Sequence, residues 1–358
     1  MATYKVEKLH GKPIVDGNDV RRHRIGADPN RGKLRGDAMF PTMVKVPDWV
    51  PAEERAHPDA KYYLYCASHH ATSIHMAWSD RVDSSDWTLF NTPRANDERF
   101  PGRGVFDLKL GNDNITIDVV DGIILAGHVS SPEVIVDDEN KQFIMIIHGR
   151  SNEGQKSFVA TSKYGLNFNR PEVGGEDGYG LKHVKFGDRN YLRVFQYNGE
   201  WYGFGQRGYF LKPADPDHLW DAPEEWDSNN SLWVAAEKSP IEEDLAKAGL
   251  GGPHLPNGGL GMRHGCVRVM EDGKTLEAFY SRKWEVPEYI VRSTVDLTDG
   301  EWNAWQTSFP PEDIVRAVED WEGEDVHDSY VYKDGEDLYL FYTCRVEDAI
   351  AVAKLTTL

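Results

Sequence analysis

Carboxylate and imidazole side chains recur where short apolar segments begin, at points far apart in the sequence. Hydrolysis of a glycosidic bond needs one group that donates a proton to the leaving oxygen and one that activates water or attacks the sugar. Burial of several acids in one place would separate their pKa values and so assign these two roles. Four residues fit this chemistry and are the candidate catalytic residues: Asp37, Glu133, His264 and Asp328.

Each candidate also has a purely structural interpretation. Asp37 either acts as a general base or ends a loop before a strand; we favour the base, because Phe40-Pro41-Thr42 repeats the pattern of Ser131-Pro132-Glu133. Glu133 is an acid, a residue that tunes a neighbouring pKa, or a salt-bridged side chain. Asp328 is either catalytic or a partner that holds His327.

A second set of residues near the same segment starts is predicted to bind substrate. Histidines suit proton transfer, hydrogen bonding to a sugar or metal ligation. A divalent ion (Ca, Zn or Mn) on the axis is therefore one expectation, and the sequence makes no cofactor certain. A guanidinium suits a uronate or a sulfate, although for any single arginine we favour a salt bridge between blades. The predicted binding residues are His128, His327, Arg193, Arg263 and Tyr330.

The elements that carry these residues form a repeat. About five times, a segment with a polar start is followed by a second strand that ends in aromatic residues, such as Tyr62–Cys66 and Leu338–Tyr342. A repeat of short strands with a period of roughly 50 to 90 residues is typical of a β-propeller. We predict an all-β, five-bladed β-propeller with four antiparallel strands in each blade. Its innermost strands begin at the central axis and bring the polar residues together.

The chain ends are predicted to close this propeller. The last blade lacks an outer strand, which the N-terminal segment 4–9 can supply by pairing with segment 349–355, leaving no open edge. Asp-Gly and Asn-Gly turns, as at Asn198-Gly199, predict hairpins. We also expect a short helix in 239–248 and outer strand segments at 165–168 and 302–305. No linker divides the chain, so residues 1–358 are interpreted as a single domain.

The composition limits the classes of partner that we expect the protein to bind. The formal net charge of −19 and the isoelectric point of about 5.1 disfavour binding to nucleic acid. Cys66, Cys266 and Cys344 lie in apolar strand patterns and are predicted to be buried free thiols. No signal-peptide-like or membrane-spanning apolar run occurs, so we expect a cytoplasmic protein without a membrane partner; a signal removed earlier would leave the same sequence. The sequence leaves open whether the protein forms a homo-oligomer.

A five-bladed propeller with an axial carboxylate resembles the glycoside hydrolase superfamily that includes families 43, 32, 62, 68, 117 and 130. Segment 131–138 and the apolar strand after it are similar to the Ala-Pro-Asp/Glu-Val segment in the second blade of family 43 proteins. The resemblance places Asp37 where the superfamily has its general base. The Glu-Gly-Pro acid motif of family 43 is missing, and segment 27–32 matches only part of the family 32 motif. The histidines in the late inner strands, His264 and His327, resemble the pattern of family 117, where a histidine is proposed as the acid.

The sequence therefore predicts a glycoside hydrolase that acts on an oligosaccharide or polysaccharide in an axial funnel, with an Asp base and a Glu or His acid. One alternative is a polysaccharide or oligouronide lyase, in which His or Tyr abstracts a proton beside a carboxylate that an Arg or a metal neutralises. A non-catalytic sugar-binding propeller is the other alternative.

Overall fold

The structure is a computed structural model that describes residues 4–23, 38–68, 73–90, 104–107, 119–120, 123–151, 154–169, 176–183, 186–187, 189–223, 225, 227, 230–252, 254–255 and 259–358. Within these residues the strands form five antiparallel sheets, each with four or five strands. The sheets are the blades of a β-propeller, as the sequence predicts.

The elements follow one another blade by blade along the chain. The N-terminal elements are β1 (Tyr4–Lys8), β2 (Val15–Asp16) and α1 (Gly17–His23). Blade one contains β3 (Met39–Lys45), β4 (Tyr62–Ala67), β5 (Ser73–Ser79), β6 (Thr88–Leu89) and β7 (Phe106–Asp107). Blade two contains β8 (Val119–Val120), β9 (Ile123–Asp137), β10 (Gln142–Ser151), β11 (Gly154–Ser162) and β12 (Gly180–His183).

The remaining blades follow the same order from the axis outward. Blade three contains β13 (Arg193–Tyr197), β14 (Glu200–Phe204), β15 (Phe210–Pro213) and β16 (Trp233–Ala235), after which α2 (Pro240–Lys247) follows. Blade four contains β17 (Gly261–Val269), β18 (Thr275–Lys283), β19 (Ile290–Asp296) and β20 (Glu312–Val315). Blade five contains β21 (His327–Asp334), β22 (Asp337–Cys344) and β23 (Ala349–Thr357), joined by β1 and β2. Short 3-10 turns occupy Ala52–Glu54, Gln206–Gly208, Trp302–Ala304 and Asp320–Glu322.

The N-terminal strand closes blade five, as predicted. β1 pairs antiparallel with β23, from Tyr4 opposite Thr357 to Lys8 opposite Ala353. The Tyr4 hydroxyl also donates a 2.8 Å hydrogen bond to Glu277 of blade four, so the chain end is tied to two blades. This pairing covers an edge strand that would otherwise expose its backbone donors and acceptors.

Turn residues set the hairpins that the sequence predicts. Asn198 and Gly199 both have positive φ values, 51° and 80°, as a type I′ turn requires between β13 and β14. The Asp272 carboxylate accepts hydrogen bonds from the backbone N–H groups of Lys274 and Thr275, which fixes the turn between β17 and β18. Helix α2 begins after Ser239, whose hydroxyl accepts a hydrogen bond from the Glu242 N–H.

Two predicted outer strands are wrong. Trp302–Ala304 form a 3-10 turn instead. The next residue, Trp305, packs in the core, 5.0 Å from Tyr202 and 5.3 Å from Phe210 between ring centroids. The outer strand of blade four is β20. In blade two, segment 165–168 is a turn in which Gly165 has φ of 78°, and β12 is the fourth strand.

Aromatic and aliphatic side chains pack between neighbouring blades. Tyr63, Tyr65, Phe143 and Phe158 are fully buried where blades one and two meet. All three cysteines are free and buried, as predicted. Among the described residues, no helix is both long and apolar enough to cross a membrane.

Candidate active site

The innermost strands of four blades each contain a bulge near the axis. Two residues face one on the neighbouring strand at 40–41 in β3, 131–132 in β9, 263–264 in β17 and 328–329 in β21. Phe40, Ser131 and Asp328 have positive φ values of 49° to 55° in these bulges, and Tyr191, just before β13, has 57°. Such strained non-glycine backbone tends to occur at functional sites, and a bulge re-aims its side chains.

The re-aimed side chains meet in what we call the upper layer: Phe40, Tyr191, His264 and Asp328, one each from blades one, three, four and five. The His264 imidazole lies at its centre. Its centroid is 3.9 Å from that of Tyr191 and 4.2 Å from that of Phe40, both edge-on. Blade two contributes His148, whose centroid is 4.3 Å from Tyr191. Residues that are up to about 290 positions apart in the sequence therefore share one site.

Asp328 lies between two imidazoles. Its Oδ1 is 2.6 Å from His264 Nδ1, and its Oδ2 is 2.8 Å from His327 Nδ1. The Asp328 carboxylate has no exposed surface, and only 11% of the His264 side chain is exposed. The structure thus joins three predicted residues, His264, His327 and Asp328, in one contact group.

Burial and charge set the protonation of this group. Burial raises the pKa of Asp328, but His327 and His264 outweigh this effect, so the pKa lies well below its usual range. Burial lowers the pKa of His327, but Asp328 outweighs it and the pKa is raised. Burial lowers the pKa of His264 to about 4, against the opposing effect of Asp328. At neutral pH, Asp328 is ionised and His264 is neutral, with its proton assigned to Nδ1 by the hydrogen bond. His264 Nε2 is then the unprotonated ring nitrogen, which can accept a proton or a hydrogen bond.

Arg263 links this group to two further carboxylates. Its Nη1 donates a 2.9 Å hydrogen bond to Glu288, its Nη2 pairs with Glu347, and its Nε is 3.9 Å from Asp328. Burial raises the pKa of Glu288, and Arg263 partly opposes this. Glu288 is therefore a carboxyl group that holds its proton to higher pH than an exposed glutamate does.

A lower layer lies two residues further along the inner strands. It consists of Thr42, Glu133, Arg193 and Tyr330. The Arg193 Nη1 donates hydrogen bonds to Glu133 (2.6 Å), to the Thr42 hydroxyl (2.7 Å) and to the Pro132 carbonyl (2.6 Å). Its Nε donates to the Gly265 carbonyl at 3.3 Å, and its guanidinium lies 5.4 Å from the Tyr330 ring centroid. Arg193 of blade three thereby contacts all four of the other blades.

Thr42, Glu133 and Arg193 of the lower layer are buried, and Tyr330 is partly buried. The exposed fractions of the Arg193 and Glu133 side chains are 5% and 8%. Burial raises the pKa of Glu133, and the charge and hydrogen bonds of Arg193 oppose it. The structure thus places Glu133 in a salt bridge beside the axis, one of the interpretations that the sequence left open.

A cavity of about 960 Å³ opens above the upper layer, between blades three and four. Tyr191, Arg263, His264 and Glu288 line its inner end, and Lys283 and Trp284 line its edge. The volume is in the range of pockets that hold small ligands. A second groove of about 620 Å³ lies around Asp137, Trp201 and Trp220, and no predicted site residue lines it.

The other predicted residues have these positions. His128 Nε2 is 3.3 Å from His148 Nε2, beside Tyr191. Asp37 lies outside the described residues, and its role as a base stays a prediction. Among the described residues, no group of three or more His, Cys, Asp or Glu side chains is arranged to hold a metal ion. The axial metal therefore also stays a prediction, to be tested by metal analysis of the purified protein.

Tyr191 and Glu288 belong to the site but are not among the residues predicted from the sequence. Tyr191 begins the third repeat, at the position that corresponds to Asp328 in the fifth, so its place in the repeat was a usable signal. Glu288 lies outside the repeated segment, in the loop before β19, and nothing in its local sequence distinguishes it. Its position at the cavity depends on Arg263 and on the Asp325 carboxylate, which accepts a 2.8 Å hydrogen bond from the Glu288 N–H.

Solved structures share this architecture along nearly the whole chain. A thermostable family-43 glycoside hydrolase has a TM-score of 0.53 at 15% identity, with 91% of this chain and 91% of that chain covered. An α-L-arabinofuranosidase from Lactobacillus brevis has a TM-score of 0.54 at 12% identity, with 96% and 94% covered. An α-L-arabinofuranosidase from Podospora anserina has a TM-score of 0.53 at 9% identity, with 99% and 97% covered. The chain has the fold of the five-bladed propeller glycoside hydrolases.

This likeness confirms the fold that the repeats predict. No protein-family model matches the sequence, and a search of curated proteins gives no match. At identities this low the shared feature is the fold, and the chemistry has to be argued from the site itself.

Proposed function

We propose that the protein is a glycoside hydrolase that acts on a carbohydrate bound in the cavity above the upper layer. The hydrogen bond between His264 and the buried Asp328 carries this proposal. It creates a neutral, oriented base at the inner end of a cavity that also contains Glu288, a carboxyl group with a raised pKa. One base and one acid are what glycoside hydrolysis requires, and the fold shared with such enzymes supports the proposal.

In the proposed reaction, His264 Nε2 takes a proton from a water molecule as the water oxygen bonds to the anomeric carbon. Glu288 donates its proton to the leaving oxygen as the glycosidic bond breaks. Asp328 stabilises the imidazolium that forms on His264. After the reaction, His264 releases its proton to solvent and Glu288 takes up a proton from solvent, which restores both groups. Burial raises the pKa of Tyr191 to about 12, so its hydroxyl stays protonated and can donate a hydrogen bond to a sugar oxygen.

The stereochemical consequence can be tested. A single displacement by water inverts the configuration at the anomeric carbon. Proton NMR of the first product formed would show inversion under this proposal. Retention would mean that a carboxylate attacks the sugar instead, and would reject His264 as the base.

The test of function is incubation of the purified protein with neutral, uronate-containing and sulfated oligosaccharides. New reducing ends are measured alongside ultraviolet absorbance from unsaturated products. We expect reducing ends without absorbance, and their loss in His264→Gln but not in His57→Gln, a matched change at a half-exposed surface histidine. Reducing ends in none of the substrates would contradict the proposal and favour a sugar-binding propeller.

A lyase is the second candidate, and the neutral His264 is the observation that favours it. In a lyase this imidazole would abstract the proton beside a uronate carboxylate, Arg263 would neutralise that carboxylate, and the adjacent Tyr191 would donate a proton to the leaving oxygen. Ultraviolet absorbance that appears together with chain cleavage would establish the lyase and reject the hydrolase.

A further inference from the structure

Most charges on the described residues that line the cavity are paired; the exceptions are Lys283 and Glu237. Among the described lining residues, four side chains are cationic: Arg207, Lys238, Arg263 and Lys283. Arg207 lies 3.5 Å from Glu242 and Lys238 lies 3.3 Å from Glu243, while Arg263 pairs with Glu288 and Glu347. Within the described part of the chain, Lys283 is the one cavity cation that has no carboxylate partner. In a protein with a formal net charge of −19, such a cation is conspicuous.

Trp284 lies next to this lysine and is presented to the cavity. Its exposed fraction is 53%, although it is a large aromatic residue, and its φ is 73°, a strained value for a bulky side chain. The Lys283 Nζ lies 4.8 Å from the centroid of the indole ring. An exposed indole face at a cavity edge is a suitable surface for the apolar face of a sugar.

The turn that contains Trp284 is stabilised by hydrogen bonds between the residues that flank it. Arg282 donates two hydrogen bonds to the Glu285 carboxylate, at 2.8 and 2.5 Å, and one to the Tyr289 hydroxyl at 2.5 Å. The Glu285 N–H donates to the Arg282 carbonyl at 3.1 Å. The strained backbone at Trp284 is thus fixed by interactions on both sides of it, and ligand binding would not have to order this turn.

We propose that Lys283 and Trp284 form a subsite for a sugar residue that carries an anionic group, either a carboxylate or a sulfate. Trp284 packs on the sugar, and Lys283 pairs with the anion while the inner end of the cavity holds the bond to be cleaved. The proposal rests on the proposed function, because it names the substrate class of the same cavity.

The test is calorimetric titration of the full chain with matched oligosaccharide pairs. The anionic probes are oligomers of galacturonate, glucuronate and alginate and an oligomer of sulfated galactan; the neutral counterparts are their methyl esters and the desulfated galactan. We expect at least one anionic probe to bind about tenfold more tightly than its neutral counterpart. Lys283→Gln should reduce this ratio to about one, and Trp284→Ala should weaken both members of the pair equally.

Lys238→Gln is the matched control, since this cavity lysine already has a carboxylate partner, and it should keep the preference. If the uronate probes bind and the sulfated probe does not, the subsite takes a carboxylate; the opposite result means that it takes a sulfate. The proposal is overturned if no anionic probe binds, if the neutral counterparts bind equally well, or if Lys283→Gln keeps the preference. Binding that depends on Lys283 without any turnover would instead overturn the proposed hydrolase and leave the subsite standing.

Discussion

The upper and lower layers of the axis are built from the same inner strands, yet they differ in every property that matters for chemistry. On β3, Phe40 contacts His264 and Thr42 contacts Arg193. On β21, Asp328 contacts His264 and Tyr330 contacts Arg193, so residues of both layers face the axis. In the lower layer, Arg193 and Glu133 neutralise each other and are closed off from solvent. In the upper layer, an ionised Asp328 orients a neutral His264 that lines a cavity.

The difference shows that positions two residues apart on one inner strand can have separate roles, one in packing the axis and one in chemistry. The bulges lie at the upper layer, where strained backbone aims side chains at one another and at the cavity. Below the bulges the strands pair regularly, and the axis can be packed. We infer that the lower layer holds the blades in place so that the upper layer can keep its strained, reactive arrangement.

The largest expected effect is on stability, from Arg193→Met. This change leaves Glu133 buried without its partner, which typically costs about 3–5 kcal/mol of the free energy of unfolding. Urea denaturation measures it. The double variant Arg193→Met with Glu133→Gln is the control, and it should recover part of the loss because no charge is then buried. A single variant as stable as the unchanged protein would show that the lower layer does not hold the blades.

The next effect is on activity, from Asp328→Asn. Asparagine cannot stabilise the imidazolium of His264, and it no longer selects the tautomer with the proton on Nδ1. We expect kcat on the hydrolysed oligosaccharide to fall by about 10²- to 10⁴-fold. Asp328 is a positioning residue, so the readout includes the pH profile, in which the acidic limb assigned to His264 should move. An unchanged kcat and profile would remove Asp328 from the account.

The pH dependence sharpens the assignment of the two proton-transfer groups. His264 must be neutral, which requires pH above about 4, and Glu288 must be protonated, which requires pH below its raised pKa. A plot of kcat/KM against pH should therefore be bell-shaped with a mildly acidic optimum. Arg263 lowers both pKa values, so Arg263→Met should move both limbs to higher pH. Limbs that stay in place would argue against Glu288 and His264 as the titrating groups.

The smallest expected effect concerns Cys266, two residues after His264. Burial raises the pKa of its thiol to about 12, and the pKa of Cys344 is raised to about 12 for the same reason. Iodoacetamide at pH 8 should leave the folded protein unlabelled and fully active, and it should label the urea-unfolded protein. Rapid labelling of Cys266 in the folded state would mean that the axis below His264 is open.

The sequence predicts the propeller well because local signals repeat in it. Alternating apolar strands and Asn-Gly and Asp-Gly turns are short-range signals. The predicted pairing of 4–9 with 349–355 is long-range and follows from the repeat, because the last blade lacks an outer strand; the structure pairs 4–8 with 353–357. The outer strand of blade four was misplaced because Trp302 and Trp305 look like strand residues. Only the neighbouring blade, through Tyr202 and Phe210, determines that Trp305 turns inward.

The site is only partly predictable for a different physical reason. The residue types and the places of His264 and Asp328 in the repeat make them candidates, and the structure places them in contact. The pairing of Glu133 with Arg193, 60 residues away, depends on the angle between blades, and several arginines fitted equally well from sequence. Positive φ at Phe40 and Tyr191 has no sequence signal, since bulky aromatic residues rarely adopt it.

The most direct test of the account is to measure kcat/KM and the melting temperature on the same preparations of the unchanged protein, His264→Gln and Asp37→Asn. If His264 in the upper layer is the base, His264→Gln loses about 10²-fold or more in kcat/KM while its melting temperature shifts by no more than about 4 °C. Full activity in His264→Gln together with inactivity in Asp37→Asn would contradict the account and make Asp37 the base.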